Sequence, residues 1–261
     1  MLLPLVGSVT PLAIASSVFN LSKLPDLELW IAARALTGLN DGDGITTLSD
    51  LSGHGRDFSQ ATASKKWQYK TGIVNSLPVA RADGVDDFMS AGDTLGFERT
   101  DDWTIYAVAN FTTGQEGTLL GKMDPATAFR GWAVGSSNGN GNKPYAFLVN
   151  THPSNYVLET YDNTSFFGAF HVLTWIYTGN SDVSGLSMYV DNVLRSETTV
   201  ANTLTATLAN AAVLALGARN GTAQFFAGDL AEAAVASAAH GATDRTRANQ
   251  YLANLYGITL P

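Results

Sequence analysis

The 261-residue chain contains no cysteine, which excludes a disulfide framework, a thiolate metal site and a thiol nucleophile at once. Charge is also scarce. Asp, Glu, Lys and Arg make up 15% of the residues, against about 25% in an average soluble domain, so the surface must be covered with Ser, Thr, Asn and Gly. Cations are the rarer sign: 15 Lys+Arg face 23 Asp+Glu, a formal net charge of −8. Nucleic-acid binding rests on clustered cations, so that class of partner is excluded. No apolar run is long and unbroken enough to cross a bilayer as a helix, and no membrane partner is expected. Residues 1–20 are apolar but interrupted by Pro4, Gly7 and Pro11, and the first cation is Lys23. A secretory leader needs a positive start. We therefore read residues 1–24 as an extended arm that packs on the body or on a partner. Without a fixed-period repeat or a long linker, residues 25–261 read as one domain.

What is present is strand-like. Trp103-Thr104-Ile105-Tyr106-Ala107-Val108-Ala109 is rich in β-branched and aromatic residues, which suit a pleated surface. Similar runs lie at 131–134, 145–149, 172–177, 186–190 and 213–216. Between them stand Gly/Asn/Asp clusters. Asn138-Gly139-Asn140-Gly141-Asn142 supplies residues tolerant of positive φ for a hairpin, and Asp191-Asn192 between two short apolar runs is a tighter hairpin signal. The period changes at the end of the chain. Ala248, Tyr251, Leu252 and Leu255 fall at i, i+3, i+4 and i+7, one face of a helix. Thr243 is the expected N-cap, Asp244 lies in the first turn and Gly257 stands where a glycine stops a helix.

The order of segments then resembles a known family. Leu27-Glu28-Leu29-Trp30-Ile31-Ala32-Ala33 resembles the L-x-L-W-L-D-A opening of concanavalin A-like, laminin-G-like domains found in phage structural proteins and bacterial surface proteins. The stretch from Leu48 to Asp57 is similar to their W-x-D-x-S-G-N-G turn, and Arg81-Ala82-Asp83-Gly84-Val85-Asp86-Asp87-Phe88 to R-F-D-G-x-N-D-Y. Gly228-Asp229-Leu230-Ala231-Glu232 and Tyr251-Leu252-Ala253-Asn254-Leu255-Tyr256-Gly257-Ile258 resemble G-x-I-A-E and Y-L-A-x-K-Y-G-I. Two departures stand out: Ala33-Arg34 lacks the usual acidic residue, and Phe170 replaces the tryptophan before His171. The resemblance spans about residues 24–261. It implies an all-β, two-sheet antiparallel sandwich of jelly-roll type with a short C-terminal α-helix, and, since the fold often carries calcium, a cation at Asp83, Asp86 and Asp87.

Catalysis finds little support. Glycoside hydrolysis needs two carboxylates across the scissile bond, and sandwich glucanases resembling this fold place them in E-x-D-x-x-E, which none of the glutamates begins. Gly135-Ser136-Ser137-Asn138-Gly139 matches a nucleophile elbow formally, but that turn must run into a helix and here it runs into a Gly/Asn loop. His54, His152, His171 and His240 have no metal-ligand spacing. Binding fares better. Trp132, Tyr145, Tyr156, Tyr161 and Phe166-Phe167 offer aromatic surface, with Asn140, Asn142, Asn150, Asn155 and Asn163 nearby in sequence. The expected glycan contacts are Tyr156 and Tyr161, with Trp132, Asn140 and Asn142.

Three functions follow as expectations. The first is a non-enzymatic structural protein of a phage virion, a capsid decoration or a tail or fibre component. It would bind its own copies or other virion proteins through residues 1–24. The alternative is a carbohydrate-binding, lectin-like adhesion module for host or surface polysaccharide, on a particle or at a cell surface. The third, a glycoside hydrolase, lacks its acidic motif.

Overall fold

The computed structural model describes residues 19–112, 116–137, 141–162 and 166–261. They form two antiparallel sheets packed face to face, with one α-helix, Ala242–Tyr256, laid on the outside of one sheet. The helix-bearing sheet has eight strands. Its centre is Asp102–Phe111, flanked by His171–Thr178 and Ala227–Ala236, with Leu186–Val190 and Val193–Leu194 beyond the first and Leu77–Asp83 and Gln68–Val74 beyond the second. Leu27–Ala32 pairs with the far half of Ala227–Ala236. The second sheet has nine strands, in the order Glu197–Asn202, Asn155–Tyr161, Lys143–Thr151, Arg130–Ser137 and Gly117–Asp124, then four two-residue strands.

Strand alternation explains the layers. In Asp102–Phe111 the residues Trp103, Ile105, Ala107, Ala109 and Phe111 face the space between the sheets, while Tyr106 and Val108 face the helix. A strand buried on both faces must be apolar throughout, which is why this run stood out. Asp191 and Asn192 both take left-handed φ, 51° and 66°, joining Leu186–Val190 to Val193–Leu194 in a turn whose twist matches the strands. The expected strand at 213–216 is only Ala215–Leu216.

The helix starts two residues earlier than the capping pattern suggests. Gly241, not Thr243, is the N-cap, and it offers no side-chain bond. Gly257 ends the helix at φ 67°, as expected. Ala248, Leu252, Ala253 and Tyr256 are the apolar residues in full contact with the sheet, while Tyr251 and Leu255 are half-buried at the rim. The end of the expected arm, residues 19–24, packs on the body of the domain. Asn20 caps a short 3₁₀ turn, Leu21–Lys23, and Leu21 and Leu24 are buried with Val79, Tyr106 and Leu252. The rest of the expected arm, residues 1–18, lies outside the described residues.

Candidate functional site

Among the described residues no helix covers the outer face of the nine-stranded sheet, yet that face is not polar. Strands Arg130–Ser137, Lys143–Thr151 and Asn155–Tyr161 turn Trp132, Val134, Ala146, Leu148 and Val157 inward. Outward they present Ala133, Tyr145, Phe147 and Val149, with Tyr156 and Leu158 beside them, a separate apolar cluster. The cluster floors a cleft of about 310 Å³ lined by Glu116, Phe129, Ser137, Tyr145, Phe147, His152, Leu158, Arg219 and Gln224. Two larger clefts are less suited to a site. One, against the helix at Phe19 and Tyr251, begins at the first described residue, and the other, at Glu28, Arg56 and Asp101, is mostly polar.

Rings from different elements converge at one end of this cleft. Phe147 meets His152 at 5.9 Å and Tyr156 at 5.6 Å, both nearly perpendicular, and His152 meets Tyr156 at 5.0 Å. Phe129 reaches His152 from the loop at 6.3 Å. Such edge-to-face contacts add stability beyond area burial. Phe129 is held there by an unusual backbone, since Ala128 and Phe129 take φ 54° and 66°. A bulky side chain in the left-handed region costs of order 1–3 kcal/mol and tends to mark functional positions.

The other end is polar. Gln224 Nε2 donates to Glu116 Oε1 at 2.5 Å, Thr118 Oγ1 donates to Gln224 Oε1 at 3.3 Å, and Thr118 also shares a hydrogen bond with the Tyr145 hydroxyl at 3.0 Å. Burial, the largest influence on Tyr145, pushes its phenol up and keeps it a neutral donor and acceptor. Arg219 belongs to the ring end, where it lies over Phe129, 4.7 Å from the ring centre. Among the described residues lining the cleft, Glu116 is the single carboxylate, so this site does not hold the acid pair of a glycosidase.

The residues expected from the sequence divide. Tyr156 lies in the ring cluster, behind His152. Trp132 and Tyr161 do not contribute surface: they are 1% and 0% exposed in the core between the sheets. Trp132 donates Nε1 to Leu95 O at 3.0 Å and packs on Phe97 and Trp103. Each sits at an inward position of its strand, one residue out of phase with the outer face. Asn142, half-buried with φ 56°, ends the hairpin loop, while Asn140 and Asn163 lie outside the described residues. Asn150 and Asn155 bind the loop at Thr205–Thr207. Phe166 is in the core against Phe111.

Asp83, Asp86 and Asp87 bring one carboxylate oxygen each to within 4.8 Å of the others. Hydrogen bonding accounts for two of them: Asp83 Oδ1 accepts from Val85 N at 2.8 Å, and Asp87 Oδ2 accepts from Asp83 N at 3.1 Å. Burial, then the charges of Asp83 and Asp86, push the Asp87 carboxyl up to about 6. Carboxylate oxygens are the hard donors that calcium takes, about 6–8 at a time, so the three aspartates would supply part of such a shell.

Sequence reasoning missed Phe129, Phe147, His152, Arg219, Glu116 and Gln224. One signal was available. Tyr145-Ala146-Phe147-Leu148-Val149 is apolar at every position, whereas a sheet with one face in water alternates.

No family model matches the chain, and no curated protein matches it. Solved structures do. The binding domain of Paraclostridial mosquitocidal protein 1 superposes with a TM-score of 0.55 at 12% identity, over 87% of this chain and 52% of that one. The ligand-binding domain of botulinum neurotoxin serotype D, in complex with N-acetylneuraminic acid, gives 0.55 at 9% identity, over 89% and 50%. Trypanosoma rangeli sialidase, with 2,3-difluorosialic acid, gives 0.54 at 11% identity, over 88% and 33%. The chain thus spans about half, or a third, of the structures it resembles. At such identities the likeness establishes the fold alone, a two-sheet β-sandwich.

Proposed function

We propose that the protein is a carbohydrate-binding, lectin-like module, with the cleft on the outer face of the nine-stranded sheet as its glycan site. The observation that carries this is a single cleft with apolar rings at one end and a linked Glu116–Gln224–Thr118–Tyr145 set at the other. A sugar presents the same two faces, a ring of C–H groups and a fringe of hydroxyls, and pockets pair an apolar floor with a few placed polar groups for this purpose. The structures named above include binding domains, one of them with a bound sugar acid, which favours glycan recognition over the virion-assembly role expected from the sequence. With one carboxylate in the cleft, binding without hydrolysis is the consistent reading.

A glycan array followed by calorimetry on any hit tests it. Phe129→Ala and His152→Ala, both at the cleft edge, should each weaken binding about tenfold, equivalent to about 1.4 kcal/mol, while stability falls by no more than the loss of an aromatic pair, about 0.5–1.5 kcal/mol, and the variants stay folded in thermal melts. Unchanged affinity in both variants would place the glycan elsewhere.

A further inference from the structure

Arg219 is the group in this cleft that the fold leaves unexplained. It stands at the base of a tight turn, where Arg219 N donates to Ala223 O at 2.8 Å and Asn220 and Gly221 take φ 49° and 67°. Its side chain is half-buried, and Nε is shielded from solvent with no hydrogen-bond partner. No described carboxylate lies within salt-bridge distance of it. Its neighbour is the Phe129 ring, 4.7 Å from the guanidinium carbon. Stacking on a ring fixes the plane of a guanidinium and leaves its edge free. Nε is covered by the protein, whereas Nη1 and Nη2 are not among the shielded atoms, and the natural complement of that open guanidinium edge is a carboxylate that can accept two parallel hydrogen bonds.

We infer that the cleft selects sugars bearing a carboxylate, with Arg219 as the specificity-determining residue. The inference rests on the glycan reading above and deepens it. Glu116, the other charge in the cleft, fixes the orientation. Its hydrogen bond to Gln224 occupies one oxygen, and its charge repels an acid placed beside it. The sugar carboxylate therefore lies at the Phe129–Arg219 end, and the ring hydroxyls meet Glu116, Gln224 and the Tyr145 hydroxyl.

Ligand-observed NMR titrations test this with the methyl glycosides of N-acetylneuraminic acid and glucuronic acid, their methyl esters, and methyl glucoside. The ester keeps the shape of the acid and removes its charge. Wild type should bind at least one acid tenfold or more tighter than its ester. Arg219→Gln should bring that ratio close to one, and Arg219→Lys should recover part of it, because an ammonium keeps the charge but not the flat fork. Melting curves establish that the variants fold. Esters or glucoside binding as well as the acids in wild type would overturn the role of Arg219 and leave the glycan reading standing. Discrimination that persists in Arg219→Gln would overturn it too. Absence of binding to every sugar, with the glycan array also blank, would remove both.

Discussion

Two buried carboxyl groups make single-residue predictions with a definite sign. Glu159 is 1% exposed; its Oε2 accepts from Thr199 at 3.1 Å, and its Oε1 has no partner. Burial, with Glu197 nearby, pushes its carboxyl up to about 7, as burial and two aspartates push Asp87 up to about 6. A carboxyl raised in the folded state holds a proton there that the unfolded chain has released. Folding is therefore favoured as pH falls from about 7 toward the ordinary carboxylate range, and loses that advantage above it. His240, pushed down by burial, opposes the trend below its usual value, so variants isolate each acid. Wild type should gain stability relative to Glu159→Gln as pH falls from 8 to 5 in urea titrations, and relative to Asp87→Asn over a window about one pH unit lower; parallel curves would refute the assignment. The same melts at pH 7 with and without calcium bear on the aspartate trio. A calcium-dependent rise in Tm that vanishes in Asp87→Asn would show an ion held there. An unchanged Tm would assign the three side chains to backbone capping.

Trp132 carries the opposite kind of prediction. Because it fills the inter-sheet core, Trp132→Ala should cost about 3–5 kcal/mol of unfolding free energy, measured by denaturant titration. Any loss of glycan binding should track the unfolded fraction.

At the scale of elements, the helix is fastened by a buried charge. Glu232, wholly buried on strand Ala227–Ala236, accepts from Trp30 Nε1 at 2.6 Å, from Arg34 Nε at 3.0 Å and from the Tyr256 hydroxyl at 2.7 Å. Three segments distant in sequence thus meet at one carboxylate. Breaking a buried pair by removing one partner strands the other charge. Since Arg34 is a quarter exposed, Arg34→Ala should cost somewhat less than a fully buried pair, about 2–3 kcal/mol. A change below 0.5 kcal/mol would mean that Trp30 and Tyr256 satisfy the carboxylate alone. The opening motif of the family resemblance has an acid where Ala33-Arg34 stands, and here the cation has a partner that explains it. Gly257→Ala tests the helix stop separately, at a cost of about 1 kcal/mol for an alanine in the left-handed region.

For the whole molecule, the asymmetry of the two sheets decides where function can sit. One outer face is sealed by the helix and by residues 19–24. The other keeps an apolar cleft edged by loops. Assembly through the N-terminal segment is a separate proposal, and it now divides at Asn20, because Leu21 and Leu24 belong to the body. Light scattering on the full chain and on a chain lacking residues 1–18 tests it. A defined oligomer that becomes a folded monomer on truncation would support assembly by that segment, whereas equal masses would remove it.

The sequence by itself determined the strand-rich body, the Asp191-Asn192 turn and the terminal helix, because these depend on neighbours a few residues apart: β-branched and aromatic runs in strands, 3.6-residue spacing in a helix, and φ preferences in turns; the two-sheet sandwich followed from the family resemblance. The absence of cysteine and the thin, acidic charge settled which chemistries were out of reach for the same local reason. Only the tertiary structure decided which aromatics face out. Trp132 and Tyr145 look alike in the sequence, and a strand register, set by pairing between distant segments, puts one in the core and the other in the cleft. It also brought Phe129, His152 and Arg219 together across three loops, a convergence no local pattern encodes, since the forces that fix it act through space between residues up to 90 positions apart.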